Sequence, residues 1–577
     1  MPKLLKLFNK DQLKYFYLLL VLICFVSVLE MASLAIIIPI LNSFLEIENS
    51  QNEISLSWVT EFLNIDSSLT FFLFIFLFFF IVKTFFSIFV SWKYHNFIFD
   101  FIKNLSFNLY SKYLSQSFQL YSKKNTSELL RNALKEIDLF YLYLQSFIQI
   151  ILESIILIGI SIFLIYILTI PTLVIIGLSS CLSLTYYFFV KNKISSWGRN
   201  RQVIEEDRIR YMQEGFSSIK EINFFNRNNF FLNRFKEKND KFYKIYINFN
   251  FLNTLPRYIF ELFIIILIAL IFLFLMSYDK ENDEIIKILA LFFAASFRII
   301  PSVYRIFSGL QHLKYSHASI HVLYHDLLNL ETRASNNYKS KIVFKDKINF
   351  KIDNFIYDYD SSFKIKNIKI DIFKNEKIGF IGKSGSGKST ILDIFSNVID
   401  SCKNSEIIVD GVKLKNKSQL RDWQKLIGLI PQNISILNVS LKDNILFGLS
   451  DKNISDDQII ETIKVCNLTN LLSRLPQGIH EEINEKGSNL SGGEIQRIGI
   501  ARALIFNPEI LIFDEATSAL DTFTENEILR DINSLPNKTV LMISHRMNTL
   551  KNCDRVFLID KGEIRDHGSY TKFNQNL

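Results

Sequence analysis

The chain has 577 residues, 49% of them apolar, 55 phenylalanines among them, and a formal charge of +8. Such a length accommodates more than one folded unit, and such an apolar share exceeds what a soluble domain needs. The positive charge would by itself admit a nucleic-acid partner, but its distribution along the chain argues against one.

Lys3, Lys6, Lys10 and Lys14 crowd the N-terminal stretch, whereas residues 41–68 hold Glu46, Glu48, Glu53, Glu61 and Asp66 with no lysine or arginine. This asymmetry puts the N-terminus in the cytoplasm and the 41–68 loop outside. A spanning helix needs about 20 mostly apolar residues. Six blocks qualify, near 15–40, 69–92, 146–168, 172–190, 258–277 and 285–307. The first is too long for a signal-peptide core and shows no small-residue cleavage site. TIPT (169–172), with Pro171 and no charge, predicts a tight external turn between the third and fourth spans, and YDKENDE joins the fifth and sixth. Residues 93–145 and 191–257 are long, basic and helically periodic, so they are expected as cytoplasmic helix extensions forming a stalk. Residues 308–340 read as a helix leaving the membrane and ending in a polar linker. The cysteines, Cys24, Cys181, Cys402, Cys466 and Cys553, lack metal-ligand spacing and read as reduced thiols.

After residue 340 short apolar runs alternate with polar ones. KIGFIGKSGSGKSTILDIF (377–395) contains Gly382, Lys383, Ser384, Gly385, Ser386, Gly387, Lys388, Ser389 and Thr390 between an apolar strand and a helix-forming run. Glycines at this spacing let successive backbone N–H groups turn inward on phosphate oxygens, with a helix N-terminus behind them. Lys388 would reach the β and γ phosphates of ATP and Ser389 would ligate Mg²⁺. The plain alternative, a chance glycine-rich turn, is weakened by the flanking strand and helix. PEILIFDEATSALD (508–521) ends an apolar strand in Asp514 and Glu515, where one acid can hold the Mg²⁺ shell and its neighbour orient the attacking water.

GSNLSGGEIQRIGIARAL (487–504) lies between those two motifs, and with it residues 345–570 resemble the nucleotide-binding domain of ATP-binding-cassette (ABC) proteins. The resemblance implies that Tyr359 stacks on adenine and that Gln432 touches Mg²⁺. It also implies that Ser491, Gly492 and Gly493 close over the γ phosphate held by another subunit. Asp521 then belongs to the D-loop, and His545 is the switch histidine. Glu494 and the segment EEINEKG (481–487) depart from the usual pattern. A single cassette must pair, so six spans followed by one cassette resemble an exporter-type half-transporter working as a homodimer. The expected layout is a helical transmembrane domain over 1–325, a linker over 326–342 and an α/β P-loop ATPase domain over 343–577.

Charges inside the spans carry the information about cargo. A charge at the bilayer centre costs roughly 2.5–3.5 kcal/mol on insertion scales, so such residues usually face a cavity. Lys83, Arg257, Arg298 and Arg305 qualify. Arg298 and Arg305 are seven residues apart, about 10 Å of helical rise on nearly one face. Such a column suits a compact, multiply negative group; the plain alternative is that these arginines snorkel or pair with Glu261 or Glu30. FRIIPSVYRIFSGLQHLKYSHASIHVLYHDL (297–327) with LPRYIFE (255–261) resembles the bacterial lipid-linked oligosaccharide flippases of the PglK type. That resemblance implies a polyprenyl-diphosphate-linked oligosaccharide moved across the bacterial inner membrane for protein glycosylation, with the four basic residues facing its diphosphate. It also implies a short external amphipathic helix, which LSWVTEFLNI (56–65) would supply. Exporters of another lipid of the lipid A type, of drugs or of peptides remain alternatives, as does an ATP-gated channel.

Overall fold

The computed structural model describes residues 8–35, 69–116, 118, 124–167, 169–276, 282–330, 342–357, 360–399, 405–449, 454–484, 487–516, 525–528, 530, 535–544 and 546–574. The chain divides into two compact units, one of Met1–Gln116 with Lys124–Arg333 and one of Ser117–Lys123 with Ala334–Leu577. The segment 56–65 lies outside the described residues.

The first unit is helical. Its long elements are α1 (Lys10–Ala35), α2 (Leu69–Leu114), α3 (Ile137–Ile167), α4 (Thr169–Ser217), α5 (Asn228–Met276) and α6 (Asn282–Asn329). Among the described residues five helical stretches are long and apolar enough to cross a membrane. The sixth expected span falls on the first half of α6, where few side chains are described. α2, α4, α5 and α6 each run to between 46 and 49 residues, more than twice the bilayer requirement, as the basic connections predicted.

Two prolines show how the sequence is accommodated. Residues 169–172, expected as a turn, instead form the first turn of α4, which begins at Thr169. Pro171 sits in its first turn, where an N–H would have no intrahelical acceptor. Pro256 lies inside α5 without ending it. A helical proline strips the carbonyl four residues back of its donor, and here that carbonyl, Leu252 O, accepts instead from Tyr186 Oη of α4 at 2.6 Å and Gln311 Nε2 of α6 at 3.2 Å.

Apolar packing joins α1 to α2 and α3 through Phe16, Ile23, Val26, Val90, Ile98 and Ile148. Val190 and Ile194 of α4 pack with Phe249 of α5 and Tyr315 of α6, whose rings stack at 4.1 Å. The extensions are also cross-tied by buried charge. Glu136, in a π-helical turn (Asn132–Glu136) ahead of α3, accepts both its Arg201 bonds at 2.9 Å and one from Gln202 at 3.0 Å. Asp326 of α6 accepts from Tyr113 of α2 at 2.6 Å and from Lys124 at 3.1 Å. Removing one partner of such a buried pair costs about 3–5 kcal/mol.

The second unit holds two sheets. An antiparallel one runs β2 (Asp360–Phe373), β1 (Lys347–Tyr357), β4 (Ser405–Val409), β5 (Val412–Lys413). The other has the order β10 (Glu563–Gly568), β9 (Arg555–Asp560), β3 (Lys377–Ile381), β8 (Thr539–Ile543), β7 (Ile510–Asp514), β6 (Ile427–Ile430). Apart from the edge strand β10, its strands, β9 through β6, are parallel. Their near-continuous apolar runs fit burial on both faces, and β8 is buried at all five positions. Parallel strands bring their C-terminal ends to one edge, where open α/β sheets bind ligands. Motifs separated by more than a hundred residues meet there.

Candidate functional site

The phosphate loop follows β3 and leads into α7 (Lys388–Phe395). Gly382 adopts φ +149°, and a Cβ there would lie 2.1 Å from Ile559 O, so no other residue fits. Gly387, at φ +104°, caps α7 in the left-handed region that favours glycine. Lys388 is buried, and its ammonium donates to Gly382 O at 2.9 Å and Lys383 O at 3.0 Å. Burial lowers its pKa, against the raising influence of Glu515 and Asp514. Ser386 Oγ is buried with no hydrogen-bond partner among the described residues, so its hydroxyl is left to serve a ligand of the loop.

Opposite the loop, Asp514 ends β7 and accepts from Ser389 Oγ at 2.8 Å. Burial raises its pKa, helped by Glu515, while Ser389 and Lys388 pull it down. Behind it Asp393 is pushed up to about 6 by burial and by Asp514. Glu515 sits at φ +49°, an uncommon conformation for a non-glycine residue and a mark of functional sites. Its N–H reaches Ile543 O of β8 at 3.2 Å, and its carboxylate accepts from Gln432 Nε2, beyond β6, at 2.9 Å. Thus Lys388, Ser389, Gln432, Asp514 and Glu515, predicted from three separate motifs, converge. Ser389 Oγ and the Asp514 carboxylate are oxygen donors of the kind a hard cation prefers, and the Gln432 amide stands against the neighbouring Glu515. Tyr359, Asp521 and His545 lie outside the described residues.

The signature motif opens α8 (Gly492–Leu504). Ser491 Oγ accepts from Glu494 N at 3.2 Å while Glu494 Oε2 accepts from Ser491 N at 2.7 Å, a reciprocal capping box. Glu494 also pairs with Arg474. The departure at 494 therefore keeps the cap and adds an ion pair. The N–H groups of Gly492 and Gly493 have no intrahelical acceptor and, with the helix dipole, face an incoming anion favourably.

In the first unit Lys83, Arg298 and Arg305 gather in one cluster, but not as bare cations. Arg305 Nη1 lies 2.5 Å from Glu153 Oε1, and Arg298 pairs with Glu30 and stands 4.0 Å from Glu153. Lys83 lies 3.9 Å from Glu30 and 3.5 Å from Ser33 Oγ. The alternative of pairing with Glu30 thus holds for Arg298, while Arg305 pairs with Glu153, because a buried charge without a partner costs too much. Glu153, which the sequence reading did not single out, is 1% exposed and also accepts from Ser302 Oγ at 2.7 Å. A lone acid in the apolar run IQIILESIILIGI was the signal available for it. Arg257 is exposed on α5 and belongs to none of these pairs, and Glu261 is not among the partners either. A cavity of about 710 Å³, mainly apolar, lies between α3, α4, α5 and α6, with Leu157, Ser161, Phe260, Ser296, Ile299 and Val303 on its wall; it shares α3 and α6 with the cluster, but no cluster residue lines it.

Two family profiles match the chain, "ABC transporter transmembrane region" over residues 15–299 and "ABC transporter" over 365–518. The leukotoxin export ATP-binding protein LtxB of Aggregatibacter actinomycetemcomitans is 38% identical over 248 residues, 42% of this chain and 34% of that protein. The leukotoxin translocation ATP-binding protein LktB of Mannheimia haemolytica is 37% identical over 254 residues, 44% of this chain and 35% of that protein. The match spans about a third of the length of these curated relatives. A solved bacterial Atm1-family ABC exporter with ATP bound shares the fold, with a TM-score of 0.76 over 98% of this chain and 97% of that one at 17% identity.

Proposed function

The chain belongs to the exporter-type ABC transporters, a multi-pass membrane protein with an ABC ATPase domain, and on that premise we propose that it flips an amphipathic lipid with a diphosphate headgroup. The favoured cargo is a polyprenyl-diphosphate-linked oligosaccharide, moved across a bacterial inner membrane for protein glycosylation. The carrying observation is the cluster of Lys83, Arg298 and Arg305 among the membrane helices, two of which, α3 and α6, also wall a mainly apolar cavity. Basic forks suit phosphate oxygens, and an apolar wall suits a lipid chain.

ATP drives the cycle from the other unit. Loop N–H groups and Lys388 hold the phosphates, and Ser389, Gln432 and Asp514 would hold Mg²⁺, which when bound neutralises charge on the β and γ phosphates. Glu515 orients the attacking water, with Gln432 fixing its carboxylate. Ser491, Gly492 and Gly493 complete the site of a second copy, which makes a homodimer the working assembly. Closure around ATP and reopening after hydrolysis shift the membrane helices between two states. Export of a toxin or other polypeptide is the second reading, supported by 38% and 37% identity to relatives named for leukotoxin export and leukotoxin translocation.

Reconstituted full-length protein decides between them. It is expected to move a polyprenyl-diphosphate oligosaccharide across liposomes only with ATP, and Glu515→Gln is expected to stop it. Flipping at the wild-type rate by an Arg298→Ala, Arg305→Ala double variant would refute the headgroup assignment. Failure to rescue a flippase-deficient glycosylating strain, combined with lipid A or polypeptide transport, would replace the cargo altogether.

A further inference from the structure

The cations of the membrane cluster were the legible part of it. Their carboxylate partners raise a separate question, since Glu30 and Glu153 occupy the guanidinium donors that a phosphate would need. Among the described residues three cations meet two carboxylates, one positive charge in excess per copy. Glu153 is held on both oxygens, by Arg305 on Oε1 and by Ser302 on Oε2 at 2.7 Å. Arg298 is shared between Glu30 and Glu153, yet its Nε, buried, has no acceptor among the described residues. An arginine fork with an idle donor, turned by carboxylates, is half-prepared for a bidentate anion.

We propose that Glu30 and Glu153 are positioning residues that act as built-in competitors of the cargo's diphosphate, presetting Arg298 and Arg305 and being displaced from them when the headgroup binds. This rests on the diphosphate reading above and deepens it. Two consequences follow from electrostatics. A carboxylate that must be displaced weakens binding of the anion, because its own attraction is lost and it is left buried. The same carboxylate speeds release, since it waits beside the guanidinium and re-forms its pair without reorganising solvent. A cluster without competitors would bind tightly and release slowly, a poor property in a carrier that must let go on the far side. Ser302 modulates the exchange by giving Glu153 one hydrogen bond that does not depend on arginine. With that bond the carboxylate is less stranded when the headgroup takes the fork.

The opposite signs of two substitutions test this. Full-length protein in nanodiscs is titrated with undecaprenyl diphosphate, and stimulation of ATP hydrolysis gives the half-saturating concentration and the maximal rate. Glu153→Gln is expected to lower the half-saturating concentration at least fivefold and to lower maximal turnover. Ser302→Ala is expected to raise the half-saturating concentration about two- to fivefold. Glu153→Asp is expected to restore values within twofold of the parent. Damage to packing alone would move both constants unfavourably in Glu153→Gln and would not invert sign between the two sites.

An unchanged or raised half-saturating concentration in Glu153→Gln, with the parent protein responding normally, overturns the competitor role while the diphosphate reading stands. Should Glu153→Gln fail to fold, Ser302→Ala decides alone, and a lowered or unchanged concentration there counts against the role. If the parent protein does not respond to undecaprenyl diphosphate at all, the diphosphate reading fails and the competitor role with it. Stimulation by inorganic pyrophosphate alone would assign the recognition to the headgroup without the lipid chain.

Discussion

Both units of the molecule collect charged side chains, but they keep them in different states. In the ATPase unit the cation of the phosphate loop rests on backbone carbonyls, Gly382 O and Lys383 O, and a buried serine hydroxyl has no partner among the described residues. In the membrane unit each arginine of the cluster is matched to a carboxylate. Neutral carbonyls are weak rivals of a nucleotide phosphate, so the first site stays open to its ligand. Carboxylates are strong rivals, so the second exchanges one anion for another. A site exposed to water can rely on solvent until ligand arrives; one at membrane depth has to carry its own counter-ions.

The comparison breaks most visibly at Glu515. Its replacement by glutamine is expected to lower ATP turnover by about a thousandfold, the usual range for a lost general base or water-orienting acid, while nucleotide binding persists. Phosphate release and a fluorescent nucleotide titration measure the two separately. Surviving hydrolysis would move the catalytic role elsewhere on that sheet edge. On the membrane side, Arg305→Ala strands buried Glu153 and is expected to cost about 3 kcal/mol of stability, seen as a lower unfolding midpoint in detergent. If Glu153→Gln is added, most of that loss should return, because the uncompensated charge is gone. Equal losses in the single and double variants would show that packing, not charge, holds the cluster.

A third test is set by pH. Asp393 carries a pKa pushed up to about 6, against an ordinary value of 3.8, so the native state binds this proton more tightly than the unfolded chain does. Stability from this group is therefore full below about pH 4 and is lost as pH rises through about 6. Asp393→Asn is expected to stabilise the protein at pH 7.5 by up to about 3 kcal/mol, and by almost nothing at pH 4. The midpoint difference between variant and parent across that range is the measurement. The smallest effect is expected at Glu494→Gln, which retains a capping residue and loses only the exposed pair with Arg474. A change within about 0.5 kcal/mol fits a surface ion pair, and a larger one would give Arg474 a structural role.

What could be read from the sequence follows the same division. The phosphate loop, the acidic strand end and the signature are contiguous, and each rule behind them is local: a glycine where φ is positive, an apolar run before a turn, a cap before a helix. Parallel strand order then does the assembling. The long helices running well past the length of a span were legible too, because span length is a bilayer property rather than a packing detail. The ion cluster was legible only by half. Arg298 and Arg305 show their spacing on one helix, but their partners come from α1 and α3, at 268 and 152 residues' separation. No periodicity reports a pairing across that distance. Pro171 was misplaced for a simpler reason, since proline suits a first helical turn as well as a loop.

The carbonyl released by Pro256 has a bearing on how such helices shift. An oxygen has two lone pairs, and Leu252 O fills them from two different neighbours, Tyr186 of α4 and Gln311 of α6. If α6 slides along α5, one donor can let go while the other keeps its grip, so no polar atom is stranded during the stroke. A proline in mid-helix, ordinarily a weak point, thereby becomes a joint with a spare pin.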